Sequence, residues 1–68
     1  MWWIGGDVAL DRSGVRAVQA ALNRLGFGAG AADGVLGPAT RAAIQRFQAS
    51  IGTRQTGQLT ARELRMLF

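Results

Sequence analysis

Three stretches of the chain place apolar residues three and four positions apart, which is the spacing of one face of an α-helix. The stripes predict helices over Gly14 to Leu25, Pro38 to Ile51 and Ala61 to Leu67. Their inward residues are Val15, Val18, Leu22 and Leu25, then Thr40, Ile44, Phe47 and Ile51, then Leu64, Leu67 and Phe68. The pattern therefore predicts an all-α fold, a compact three-helix bundle with long glycine-rich connections.

Each predicted helix has a start or stop signal. Ser13 precedes the first helix, and its hydroxyl can accept a hydrogen bond from a first-turn amide. Gly26 follows the same helix and suits a left-handed C-terminal stop. Pro38 fits the first position of the second helix, where no hydrogen bond is lost. Thr60 and Glu63 predict a capping box, in which each side chain pairs with the other residue's amide.

Polar residues form stripes of their own on the predicted helices. In the first helix, Arg16, Gln19 and Asn23 form such a stripe. Arg62 and Arg65 are expected to face outward from the third helix. Phe27 is different, since a large ring in so small a domain is best buried, and we expect it to fill the core.

Two turns in the chain look alike. Gly34 lies three residues before the predicted cap Gly37, and Gly57 lies three before the cap Thr60, with a leucine leading into each cap. The similarity indicates two copies of one turn device, although chance in a glycine-rich chain explains it equally at this point.

The composition argues against catalysis. The chain has 68 residues, enough for one small domain, and contains no cysteine and no histidine. A disulfide framework, a thiolate metal site, a typical zinc site and a histidine general base are therefore excluded. The four acidic residues are scattered, with no pairing visible in the sequence. Catalysis by this chain is therefore not expected, and neither is a cofactor or a bound metal.

The net charge of +4 comes entirely from arginine. It favours an anionic partner such as nucleic acid, a membrane surface or an acidic cell-wall polymer, or it describes an arginine-rich solvated surface. No apolar run is long enough to span a membrane. The opening "MWWIGG" is too short for the core of a signal peptide and lacks a basic start.

The chain divides into an N-terminal extension, residues 1–12, and a helical domain, residues 13–68. The extension shows no clear period and contains Trp2 and Trp3. One interpretation is that these rings stack on a sugar or a base. The favoured one is that one ring packs on the domain and the other belongs to a loose terminus.

The sequence resembles the peptidoglycan-binding domain-like family of small three-helix modules. The segments that carry the resemblance are "VRAVQAALNRLGF", "ADGVLGPATRAAIQRFQ" and "TGQLTARELRML", in this order. The matching motifs are Val18-Gln19, Leu25-Gly26-Phe27, Asp33 to Thr40, Ala43 to Gln48 and Thr56 to Thr60. The resemblance implies a non-catalytic module of the cell wall or periplasm that binds peptidoglycan. It also implies a covalently linked wall-active enzyme such as an amidase, peptidase or endolysin.

A shallow groove beside the second helix is the predicted ligand site. Arg41, Gln45 and Gln48 share one helix face by their spacing, and the turn before the helix offers unpaired amides that favour an anion. The candidate residues are Asp33, Gly34, Gly37, Thr40, Arg41, Gln45 and Gln48. The alternative is that Gln48 is bound to the protein's own backbone and that Arg41 is merely solvated.

Two other functions are alternatives to peptidoglycan binding. A helix-turn-helix nucleic-acid binder fits three short helices and positive charge, but that motif needs a turn of about three or four residues. The connections "GFGAGAADGVLG" and "GTRQTGQL" are much longer, so nucleic acid is not an expected partner. The other function is a protein-interaction module on the same fold. The related pro-domains of metalloproteases use a cysteine, which this chain lacks.

Overall fold

A computed structural model of the chain describes residues 2–5 and 8–68, with side chains from residue 11 onward. Two short strands come first, β1 (Trp2–Gly5) and β2 (Val8–Leu10), followed by three helices, α1 (Arg12–Arg24), α2 (Pro38–Ser50) and α3 (Ala61–Leu67). The all-α three-helix domain is confirmed. The antiparallel strand pair precedes it, in a segment for which the sequence indicated no period. The expectations about the Trp2 and Trp3 side chains lie outside the described residues.

The helix ends follow the predicted capping chemistry with one correction. Helix α1 begins two residues earlier than expected because Asp11, not Ser13, is its cap. The Gly14 amide donates to Asp11 Oδ1 over 2.8 Å. Helix α2 starts at Pro38, as predicted.

The predicted capping box of α3 is confirmed. The Glu63 amide donates to Thr60 Oγ1 over 3.2 Å, and the Thr60 amide donates to Glu63 Oε1 over 2.9 Å. Because these bonds satisfy the amides of Thr60 and Glu63, α3 starts at Ala61, as the sequence predicts. Its last residue, Leu67, also agrees with the prediction.

The apolar stripes of the three helices meet in one core. Its buried members are Val18, Ala21, Leu22, Ala29, Ala43, Ile44, Phe47, Leu59 and Leu67. Phe27 is half-buried and packs edge-to-face on Phe47, with ring centroids 5.8 Å apart. The core therefore joins all three helices with the two long connections.

Two residues assigned to the inward stripes are exposed instead. Leu25 is 51% exposed and Phe68 is 66% exposed. Both are C-cap residues, one position beyond the last helical residue of α1 and α3. The stripe pattern was extended one residue too far in each helix, because spacing alone does not show where the packed surface ends.

Candidate functional site

The turn before α2 is held by a buried glutamine of α1. The Gly34 amide donates to Gln19 Oε1 over 2.9 Å, and Gln19 Nε2 donates to the Val35 carbonyl over 2.8 Å and to Thr40 Oγ1 over 2.9 Å. Gln19 is only 1% exposed. Its place in the polar stripe of α1 therefore does not mean that it faces solvent, because helical spacing cannot reveal a partner that lies far along the chain.

Gly34 is required by the geometry of this turn. Its φ is +81°, in the region that only glycine adopts without strain. A Cβ atom at this position would also lie 2.8 Å from the backbone carbonyl oxygen of Arg12. The start of α1 therefore covers the turn closely enough to exclude any side chain there.

Asp33 keeps an ionised carboxylate on the outside of the same turn. Its Oδ1 accepts from the Val35 amide over 2.9 Å and from Gln19 Nε2 over 3.4 Å. The hydrogen bond from the Val35 amide is the largest cause of a pKa below the usual aspartate range. Desolvation, the second-largest cause, raises the pKa, while Gln19 and the charge of Arg12 lower it further. Asp33 is exposed, so its negative charge faces solvent.

The turn before α3 repeats this construction. The Gly57 amide donates to Gln48 Oε1 over 3.0 Å, while Gln48 Nε2 donates to the Gln58 carbonyl over 2.8 Å and to Glu63 Oε1 over 3.2 Å. Gly57, Gln58 and Glu63 thus take the places that Gly34, Val35 and Thr40 have in the first turn. Arg41 covers Gly57 as Arg12 covers Gly34.

The two copies of one turn device that the sequence indicated are therefore confirmed by matching hydrogen bonds. Each copy joins a buried glutamine in one helix to the turn and the first turn of the next helix. Gln48 is bound within the protein, as the alternative interpretation of this residue proposed.

The copies differ at the helix N-terminus that each one leads into. At α3 the Glu63 carboxylate accepts from the Thr60 amide, from Gln48 and, over 3.0 Å, from the Thr53 hydroxyl. Burial alone would raise the pKa of Glu63, but these hydrogen bonds outweigh it and hold the pKa below the usual glutamate range. At α2 the cap is Gly37, which provides no side-chain hydrogen bond, and the first residue is Pro38.

A shallow pocket of about 160 Å³ lies at this α2 N-terminus. We call it the α2 pocket. It is lined by Gln19, Ala29, Gly30, Ala31, Asp33, Val35, Gly37, Pro38, Ala39 and Thr40. It combines the positive end of a helix dipole with the carboxylate of Asp33, which also lines the pocket. The arrangement offers hydrogen-bond donors and an acceptor within one small cavity.

The predicted site residues do not form one groove. Asp33, Gly37 and Thr40 line the α2 pocket, whereas Gly34 and Gln48 are buried in the two turns. Arg41 and Gln45 lie against the second turn, near Gly57. Gln19 and the small residues of the loop 29–31 also line the pocket and were missed as site residues. The repeated glycine turn is the sequence signal that could have identified Gln19, because each copy of the turn follows a helix that contains a glutamine.

A second cavity of about 410 Å³ lies between the end of α2 and α3. It is lined by Ile51, Thr53, Thr60, Arg62, Glu63 and Met66. Among the residues with described side chains, no cluster of three or more acidic, cysteine or histidine residues could hold a metal ion. In the same part of the chain, no helix has the length and apolar character needed to cross a bilayer.

Comparison with known proteins agrees with this architecture. A solved structure described as SltB3 from Pseudomonas aeruginosa in complex with NAG-anhNAM-pentapeptide has a TM-score of 0.83 and 38% sequence identity. The match covers 90% of this chain and 16% of that one, so the chain spans a small part of that protein's length. No curated protein matches the sequence. Residues 11–67 match the family described as "Putative peptidoglycan binding domain", and the chain belongs to this peptidoglycan-binding domain family.

Proposed function

We propose that the chain is a non-catalytic peptidoglycan-binding module that holds a linked wall-active enzyme, such as an amidase, peptidase or endolysin, at the cell wall. Its place of action is then the wall or periplasm. The observation that carries the proposal is the α2 pocket, an uncapped helix N-terminus in a member of the peptidoglycan-binding domain family. A related solved structure is described in complex with a peptidoglycan fragment, which supports the same ligand class.

The peptide stem is the part of peptidoglycan that suits this pocket. A stem carries carboxylates and peptide amides. A carboxylate is favoured at the N-terminus of α2, where the first-turn amides point outward and Gly37 provides no competing side chain. The N–H groups of the stem can donate to the Asp33 carboxylate, which also lines the pocket. The ligand class is therefore a short peptide with a free carboxylate.

The second turn provides an example of a carboxylate bound at a helix N-terminus. The amide of Thr60, the cap of α3, donates to the carboxylate of Glu63, which the protein itself supplies. In our proposal the stem carboxylate satisfies amides at α2 in the corresponding way. Gly34, Thr40 and Gln48 then act mainly by shaping the turns, since the Gly34 amide, the Thr40 hydroxyl and the Gln48 side-chain amide are already hydrogen-bonded within the protein.

Arg41 and Gln45 form a second candidate surface, because they cover the Gly57 turn and not the α2 pocket. Arginine suits carboxylates through its planar fork of donors. The two surfaces can be separated by mutation. Binding that depends on Arg41 and Gln45 would place the ligand at the second turn.

The test of the pocket is Ala39→Asp, measured by sedimentation with purified sacculi. Ala39 is exposed and lines the pocket in the first turn of α2, where an added aspartate is compatible with the helix dipole. The new carboxylate occupies the end of the helix and repels a stem carboxylate. We expect this variant to stay folded and to lose binding.

Ala17→Asp is the matched control. It makes the same charge change at an exposed alanine of α1 that does not line the pocket. We expect it to bind like the parent chain, with binding weakened by salt in both. If Ala39→Asp binds as well as Ala17→Asp, while the double variant Arg41→Ala and Gln45→Ala does not bind, the pocket assignment is wrong. A folded parent chain that does not sediment with sacculi contradicts the proposed function itself.

A further inference from the structure

The two buried glutamines hold equivalent turns but face different surroundings. Gln19 and Gln48 are each 1% exposed, and each accepts from a turn glycine and donates to a turn carbonyl. Each also donates to the third residue of the following helix, Thr40 or Glu63. Removing either amide therefore deletes the same kinds of hydrogen bond from the same local structure.

Only Gln19 belongs to the α2 pocket. Its side chain lines the cavity, and its partners Asp33, Val35 and Thr40 line it as well. Gln48 instead contacts the carboxylate of Glu63, which is already paired with the protein's own donors. The first copy of the turn device thus builds a wall of the α2 pocket. In the second copy Gln48 lines neither of the two cavities, although its partner Glu63 lines the second one, and the helix end there is internally satisfied.

The loop 29–31, which also lines the pocket, is held to α1 by Asn23. The Ala29 amide donates to Asn23 Oδ1 over 2.6 Å, and Asn23 Nδ2 donates to the Gly30 carbonyl over 2.7 Å. These bonds hold the small loop residues against α1. The position of the Asp33 turn relative to the first turn of α2 depends on the Gln19 bridge between Val35 and Thr40.

We infer that Gln19 is a positioning residue for ligand binding: it sets the spacing between the Asp33 turn and the N-terminus of α2, across which a stem peptide is held. This inference rests on the proposed function. Gln48 performs the same structural task without this role. Gln19 therefore contributes to both binding and stability, whereas Gln48 contributes to stability alone.

The experiment compares Gln19→Met with Gln48→Met, which keep the side-chain length and remove the amide. The probe is the soluble fragment NAG-anhNAM-pentapeptide, and its affinity is measured by calorimetry at a temperature where both variants are folded. We expect similar losses in the midpoint of thermal unfolding. We expect Gln19→Met to weaken binding by about tenfold, the lower end of the loss found when a residue that orients a metal ligand is removed, and Gln48→Met to leave it nearly unchanged.

Thr40→Val provides the second variant if Gln19→Met does not fold. It keeps the shape of Thr40 and removes the oxygen to which Gln19 Nε2 donates. We expect weaker binding of the fragment here too, in a folded protein. Unchanged binding by Thr40→Val, or equal losses of affinity in Gln19→Met and Gln48→Met, overturns the positioning role alone. A parent chain that does not bind the fragment overturns the proposed function and this inference with it.

Discussion

Phe47→Ala is expected to unfold most of the molecules at room temperature. Phe47 is 4% exposed, lies at the centre of the core and packs edge-to-face on Phe27. Truncating a buried phenylalanine costs about 3–5 kcal/mol of folding free energy, of which loss of the aromatic pair is about 0.5–1.5 kcal/mol. The core of a domain this small supplies only about 3–5 kcal/mol of net stability. The cost of the substitution is therefore comparable to the free energy of unfolding.

The assay is thermal and urea unfolding followed by far-ultraviolet circular dichroism, with Phe68→Ala as the matched control. Phe68 is 66% exposed, so the same truncation there should change the free energy of unfolding by less than about 0.5 kcal/mol. The parent chain and Phe68→Ala should show similar cooperative transitions. A cooperative transition for Phe47→Ala close to that of the parent would refute the proposed core.

Four further predictions follow from the caps, turns and composition. Because the pKa of Glu63 is lowered in the folded state, its stabilising contribution is full above the usual glutamate pKa of about 4.3 and is lost as pH falls through the lowered value. Urea unfolding across this pH range should show the loss of stability, and Glu63→Gln should flatten the dependence of the free energy of unfolding on pH. Gly34→Ala should destabilise the fold by more than about 1 kcal/mol because of its positive φ and the Arg12 carbonyl oxygen, whereas Gly37→Ala, with open space around its Cβ position, should cost less. Thr60→Ala should cost about 1 kcal/mol through loss of the α3 cap. The pure chain should release no reducing ends or free amines from cell walls, since it has no cysteine or histidine from which to build a common nucleophile–base pair.

The helices could be predicted from the sequence because their signals are local. The apolar stripes and the capping box of Thr60 and Glu63 depend on residues within a few positions of one another. The start of α1 was harder, since Asp11 and Ser13 are both good cap residues and only the structure shows which one pairs with the Gly14 amide. The C-terminal end of that helix was also misplaced, because the apolar spacing continues to Leu25, which lies beyond the last helical residue and is exposed.

The candidate site was predictable only in part because its contacts are distant in sequence. The turn from Asp33 to Pro38 was recognised, and it forms part of the α2 pocket. Arg41 and Gln45 lie outside that pocket because the Gly57 turn folds back over this part of α2. Periodicity assigns a polar residue to a face but cannot distinguish a solvated amide from one buried against a turn. The polar stripe of α1 therefore did not show that Gln19 is buried.

The central claim, that this module binds a peptidoglycan stem at the α2 pocket, is tested most directly by nuclear magnetic resonance. The ¹⁵N-labelled chain is titrated with NAG-anhNAM-pentapeptide, and the shift of each backbone amide is followed. We predict saturable shifts concentrated at Ala39, Thr40 and the Asp33 turn, with little change at Arg62 and Glu63 in the equivalent turn of α3. A folded chain whose amides do not shift, or whose shifts concentrate at α3, would contradict the account.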